Sequence, residues 1–128
     1  MFIRFVCGEI DARSRCRAGL FCAVTQLEEN HYLPKYELEA VEEIVDWFNY
    51  HLDSPFDYLR EDKRYDPAVC WFKSTASEYL AKAWELVAIL ERNDILIWTI
   101  KSHCAGRVYY EDEVQVFAIP YHYGRRRR

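Results

Sequence analysis

Hydrophobic positions with helical spacing define the clearest element of the chain, a helix predicted over residues 34–52. Apolar side chains recur there every three or four residues, at Leu38, Val41, Val45, Phe48 and Leu52. Such spacing places them on one face of a helix, and acidic residues occupy the other face. Pro34 suits the first helical turn, because that position needs no amide hydrogen. The pattern therefore predicts an amphipathic helix packed on a core.

The same spacing predicts one helix before and one helix after this element. The earlier helix begins between Asp11 and Ser14 and ends near residues 28–30. The later helix follows a capping signal at Ser74 or Thr75 and ends at Asn93 and Asp94. Their apolar stripes are Leu20, Ala23, Val24 and Leu27 in the first, and Leu80, Ala83, Trp84, Val87 and Leu90 in the second.

Short aromatic and β-branched runs predict the strands. They cover residues 2–7, ended by Gly8, then 68–72 and 95–100, and a hairpin within 106–120 that turns at Glu111 and Asp112. The strand, helix and strand within 68–100 form a βαβ unit, whose two strands are expected to run parallel in one sheet. The long segment 53–67 is interpreted as an ordered surface loop.

These elements predict one α+β domain over residues 1–120, followed by a flexible Tyr/Arg-rich tail over 121–128. The expected architecture is a mixed four- or five-stranded sheet with a βαβ unit and a C-terminal hairpin, and three helices packed mainly on one face. A chain of 128 residues, 51% of them hydrophobic, can fill one core of this kind. The four tryptophans, Trp47, Trp71, Trp84 and Trp98, are expected mostly to fill that core.

Charge and cysteine content narrow the function classes. The net charge is −4, and four of the 17 basic residues form the C-terminal run Arg125 to Arg128, so the remaining chain is more acidic still. This balance argues against nucleic acid as a partner except through the arginine tail. No apolar run is long enough for a membrane helix, and five cysteines without a CxxC pair favour reduced thiols. A cytoplasmic protein is therefore expected, with no membrane partner.

Four blocks of the sequence carry a resemblance to a known group of proteins. They are Arg4-Phe5-Val6 with Gly8, Trp47-Phe48-Asn49 with His51, Trp71-Phe72-Lys73, and the stretch from Gly106 to Pro120. Within the last block, Tyr110-Glu111-Asp112-Glu113 with Gln115, Val116 and Ala118 is the most specific part. The chain resembles a group of small, uncharacterised bacterial single-domain proteins, although Ala105 stands where that pattern has proline. The resemblance implies a bacterial or phage origin and no particular activity.

Three clusters are candidates for reactive or metal-binding sites. The acidic tip Glu111-Asp112-Glu113 carries oxygens that a divalent cation prefers, but turn chemistry explains it better, and no metal or cofactor is predicted. His103 and Cys104, with Cys70 or His122, contain a thiol and an imidazole, yet adjacent strand residues face opposite ways. Arg13, Arg15 and Arg17 precede a helix, where surface ion pairs are favoured over an anion site.

Two classes of function remain. The first is a non-enzymatic protein-interaction module, such as an inhibitor, an antitoxin-like protein or an adaptor. Surplus aromatic residues near the surface support it, with candidate contacts at Phe56, Tyr58, Tyr65, Tyr121 and Tyr123. The partner is another protein or a second copy, which could pair along the hairpin edge 107–119.

The alternative is a small-ligand or phosphate-binding protein, or an enzyme, with a pocket at the carboxyl ends of the βαβ strands. Its candidate ligand-binding residues are Lys73, Ser74, Thr75, Lys101 and His103. No catalytic residues can be assigned, so catalysis is the less favoured reading.

Overall fold

A computed structural model describes residues 1–12, 14–30, 33–53 and 68–121 of the chain. Among these residues lie six strands and three helices. The strands are β1 (Phe2–Ile10), β2 (Arg17–Gly19), β3 (Val69–Lys73), β4 (Trp98–Ser102), β5 (Arg107–Glu111) and β6 (Gln115–Ile119). The helices are α1 (Leu20–Asn30), α2 (Lys35–His51) and α3 (Ser77–Arg92). The predicted α+β class with a closing hairpin is confirmed.

Strand β1 organises the sheet, because it pairs on both sides. One side pairs with the whole of β4, from Phe2 opposite Ser102 to Val6 opposite Trp98. Its other side pairs first with β3 and then with β2. The sheet continues from β3 to β6 and β5, and every pairing is antiparallel. Strands β3 and β4 therefore run parallel within the βαβ unit, with β1 between them.

The three helices cover one face of this sheet. Phe5, Cys7 and Phe72 from that face join a single buried cluster with apolar residues of all three helices. A smaller cluster on the second face contains Val116 and Ala118 and no residue of a helix. Successive residues of a strand point to opposite faces of the sheet, so each strand presents one set of side chains to the helices and the other set to the second face. The prediction of three helices on one face is confirmed.

Some boundaries differ from those predicted. The first helix begins at Leu20 instead of between Asp11 and Ser14, because residues 17–19 pair with β1 as a short strand. Helix α3 begins at Ser77, and its N-cap is Ala76, which makes no side-chain capping bond. Strand β4 begins at Trp98, three residues later than expected, and the buried Ile95 and Ile97 precede it outside any strand. Among the described residues, no helix is long and apolar enough to cross a bilayer.

A buried carboxylate joins the start of α2 to the end of α3. Glu37 accepts hydrogen bonds from Asn93 Nδ2 at 3.0 Å and from Arg92 Nε at 3.2 Å. These bonds, that of Asn93 first, hold the pKa of Glu37 below its usual range. The stability it contributes is therefore present above the ordinary carboxyl pKa of about 4 and is lost as the pH falls through the lower, folded-state value.

We expect Glu37→Gln to flatten the acid side of the stability profile. Because the amide does not titrate, the variant should lose less Tm than the wild type between about pH 5 and pH 3. Thermal unfolding followed by circular dichroism measures this, with Glu43→Gln on the exposed side of α2 as the control. Parallel profiles for the wild type and Glu37→Gln would contradict the expectation.

Candidate functional site

Most of the predicted partner contacts lie outside the described residues. These are Phe56, Tyr58, Tyr65 and Tyr123. The fifth, Tyr121, lies in the turn after Pro120 and is exposed. The role of this group in binding stays a prediction.

The predicted ligand-binding residues lie at one end of the sheet in two groups. Lys73, Ser74 and Thr75 follow β3, while Lys101 and His103 lie at the end of β4. Phe2 of β1 pairs with Lys73 on one side and with Ser102 on the other, so one strand separates the groups. The Lys73 ammonium forms an ion pair with Glu111. Both groups therefore lie at the same end of the sheet. Their role in ligand binding stays a prediction.

The acidic tip of the hairpin is organised by the carboxylate of Asp112. It accepts hydrogen bonds from the amides of Val114 and Gln115, both at 2.9 Å, from Gln115 Nε2 at 3.0 Å and from the Tyr110 hydroxyl at 3.0 Å. Burial opposes ionisation of this group, but the hydrogen bonds outweigh it and hold the pKa of Asp112 below its usual range. The Asp112 oxygens, which are candidate cation ligands from sequence, therefore stabilise the turn.

The cysteines differ in accessibility and in acidity. Cys7 is buried, whereas Cys22 and Cys104 are exposed. Burial raises the pKa of Cys70 to about 12, and its thiol donates to Gln115 Oε1 at 3.3 Å. Burial also raises the pKa of Cys22, helped by Cys7 and Glu9. Neither shift is of the kind that activates a nucleophile, which requires a lowered pKa.

We expect iodoacetamide at neutral pH to modify Cys104 first and Cys22 more slowly. Cys7 and Cys70 should react only when the chain unfolds, because Cys7 is buried and the raised pKa of Cys70 leaves almost no thiolate at neutral pH. Mass spectrometry of timed samples locates each modification, and the same reaction in urea gives the unfolded reference. Fast labelling of Cys70 in the native chain would contradict this order.

Trp98 is an exposed aromatic residue that the fold contacts from a neighbouring strand. It lies on the second face, since it pairs with Val6, and its side chain is 42% exposed. The ring lies near Gly8 of β1, where an added Cβ would be 4.0 Å from it, an ordinary van der Waals distance. The Arg17 guanidinium lies 4.8 Å from the ring centroid on its other flank, a favourable cation–π distance. Of the four tryptophans expected mostly to fill the core, Trp47 and Trp71 pack against core clusters, whereas Trp84 is 51% exposed and Trp98 lies on a strand at the edge of the sheet.

Arg4 helps to position Arg17 beside Trp98. Its side chain is buried, and Nη2 donates to the carbonyl of Arg17 at 3.0 Å. Its guanidinium also lies 5.9 Å from the ring centroid of Trp71, and burial lowers its pKa. Arg4 therefore lies beside Arg17, one of the arginines before the first helix. Arg4 fixes the β2 backbone from which Arg17 reaches Trp98.

Strand β4 is an edge strand with an apolar surface. Within the described part of the chain it pairs only with β1, so its outer backbone groups have no strand partner. Leu96, Trp98 and Ile100 are all exposed, and alternation places Trp98 and Ile100 on the second face. Exposed apolar edge strands are sites for pairing with another strand.

A shallow pocket lies beside the Trp98 end of this strand. Its volume is about 320 Å³, and its lining is Cys7, Gly8, Glu9, Gln26, Asp94, Ile95, Leu96 and Trp98. It opens where the pairing of β1 with β4 stops at Val6 and Trp98. Glu9 and Asp94 give this end of β4 negative charge, whereas Lys101 and His103 stand at its other end.

Sequence reasoning missed this edge. The prediction that Gly8 ends the first strand is wrong, because β1 continues to Ile10. Gly8 is no signal of the edge either, since a Cβ added there would lie at an ordinary van der Waals distance of 4.0 Å from the Trp98 ring. Comparison with family models, with curated proteins and with solved structures finds no match to this chain.

Proposed function

We propose that the chain is a non-enzymatic protein-interaction module that binds an extended segment of its partner along β4. One observation carries the proposal: Trp98 is 42% exposed on an edge strand, and its indole lies against the Arg17 guanidinium, 4.8 Å from the ring centroid. A tryptophan that is already ordered loses little conformational entropy on binding, and such residues dominate interface energies. The outer backbone groups of β4 supply the hydrogen bonds of strand addition.

The surroundings favour a protein over a nucleic acid. Arg4 is buried and its guanidinium is engaged with Arg17 and Trp71, so it cannot serve as a phosphate contact without rearrangement. Glu9 and Asp94 lie around the pocket beside Trp98, where they repel phosphate. Inhibitors, antitoxin-like proteins and adaptors bind other proteins, and an edge strand suits all three.

Site-specific photo-crosslinking tests the proposal. A benzophenone amino acid replaces Ile100 in one variant and Tyr50 in the control, which is 86% exposed on α2. In cells of the source organism, we expect the Ile100 variant to give a discrete adduct at least tenfold stronger than the control. Equal adducts at the two positions, or none at either, would contradict binding along β4.

A further inference from the structure

We infer that the strand received by β4 is β4 of a second copy of this chain. This inference rests on the proposed function, and it names the partner. A two-fold axis perpendicular to the sheet would pair the two strands antiparallel and join the two sheets into one. Such an axis keeps each face continuous, so residues opposite one another must share a face.

The sequence of β4 suits self-pairing in one register. With the axis at Thr99, each Trp98 lies opposite the Ile100 of the other copy, and the two Thr99 residues face each other. Aromatic and β-branched pairs, like threonine pairs, are among the favourable cross-strand neighbours. An axis at Lys101 would instead oppose two ammonium groups, which is unfavourable. The apolar positions therefore select the Thr99 register.

Charge along β4 also suits an antiparallel copy. Asp94 and Glu9 lie at the beginning of the strand, and Lys101 and His103 lie at its end. Antiparallel pairing sets the basic end of each copy beside the acidic end of the other. Complementary charge of this kind favours the encounter and fixes its orientation.

The other edge of the sheet is less suited to this pairing. Strand β5 contains an irregularity between Val108 and Tyr110, and bulges twist an edge away from a flat partner. Strand β6 is the other half of the hairpin whose edge the sequence offers for a dimer. It is paired on both sides, by β3 and by β5. Strand β4 pairs with β1 in continuous register over its full length.

Disulfide trapping tests the register. In a chain carrying Cys22→Ser and Cys104→Ser, Thr99→Cys places two thiols directly opposite each other, where Cα atoms lie about 4.5–5.5 Å apart. Lys101→Cys is the matched control on the same strand and face. Its thiols are displaced by four residues, about 13 Å, which a disulfide cannot span. Mild oxidation should convert most of the Thr99→Cys chain to a covalent dimer and little of the control.

Sedimentation equilibrium of the unmodified chain measures the same association without a crosslink. We expect a dimer whose Kd rises at least tenfold in Ile100→Glu and is unchanged in Tyr50→Glu. Circular dichroism confirms that each variant is folded. A dimer insensitive to Ile100→Glu, or equal trapping through residues 99 and 101, overturns the self-pairing.

The two proposals fail differently. A monomer that photo-crosslinks at Ile100 to another protein overturns self-pairing and supports the proposed function. A monomer that crosslinks to nothing at Ile100 overturns both. A dimer that traps through Thr99→Cys, with an Ile100 adduct of twice the chain mass, supports both.

Discussion

Gln115→Glu is expected to lower the free energy of unfolding by about 3–5 kcal/mol. Gln115 is 0% exposed, and its Nε2 donates to the carbonyl of Asp53 at 2.7 Å and to Asp112 Oδ2 at 3.0 Å. The substitution keeps the shape of the side chain but removes both donors. It also sets a second carboxylate against Asp112, so that two like charges share a poorly hydrated site.

Urea unfolding at neutral pH measures the loss, with Glu113→Gln on the exposed tip as the control. We expect less than about 0.5 kcal/mol for the control, because exposed surface substitutions rarely exceed that value. The loss in Gln115→Glu should shrink at acid pH, where one of the two carboxyl groups takes up a proton. A loss below about 1 kcal/mol at neutral pH would show that the hydrogen bonds of Gln115 contribute little to stability.

Phe48→Ala is the second large effect, expected to cost about 3–5 kcal/mol. Phe48 is 2% exposed, and its ring lies among those of Phe21, Trp47 and Phe72 at centroid distances of 5.1, 5.2 and 6.1 Å. It therefore links α1, α2 and β3 through one side chain. Truncation removes the buried area of the ring and leaves a cavity that rigid elements cannot close.

Two variants bracket this expectation. Phe48→Leu retains most of the volume and should cost less than about 1.5 kcal/mol. Tyr50→Ala, two residues along the same helix on its exposed side, should cost less than about 0.5 kcal/mol. Urea unfolding of the three variants gives the order. If Phe48→Ala and Tyr50→Ala were equally stable, the ring cluster would not be part of the core.

Elements with a strong period were predictable from sequence. Val41 and Phe48 of the predicted stripe are buried in α2, and Val45 and Leu52 pack against the same cluster. Helical periodicity reports burial directly, since one face must leave water. The stripe did not include Glu37, which is buried because Arg92 and Asn93 reach it from another helix. The spacing of residues within one helix cannot show a hydrogen-bond partner that comes from a distant part of the sequence.

The candidate edge was harder to predict, since it depends on where strands lie in the sheet. The run from Ile95 to Ile100 indicates a strand, but its apolar character cannot distinguish an edge position from a central one. The insertion of β1 between β3 and β4 decides the matter. That arrangement is a long-range pairing, and it leaves Trp98 at the border of the sheet. The residues beside the Trp98 ring, Gly8 and Arg17, are far from it in sequence.

The hairpin tip shows a third limit of prediction from sequence. Its acidic residues raised the question of a metal ion, because carboxylates near each other are typical of cation sites. In the structure Asp112 binds backbone amides, a tyrosine hydroxyl and the Gln115 amide. The spacing from Tyr110 through Asp112 to Gln115 is thus explained by the turn. Sequence shows the residue types, whereas the backbone conformation decides which donors they meet.

Hydrogen exchange of the backbone amides in residues 98–102 tests the central claim most directly. It compares the free chain with the chain bound to the protein captured by crosslinking, whether that is a second copy or another protein. Strand addition predicts that the outward amides of β4 exchange at least tenfold more slowly in the complex, while β5 is unchanged. Protection confined to β5 or to α2, with β4 exchanging as in the free chain, would contradict the account.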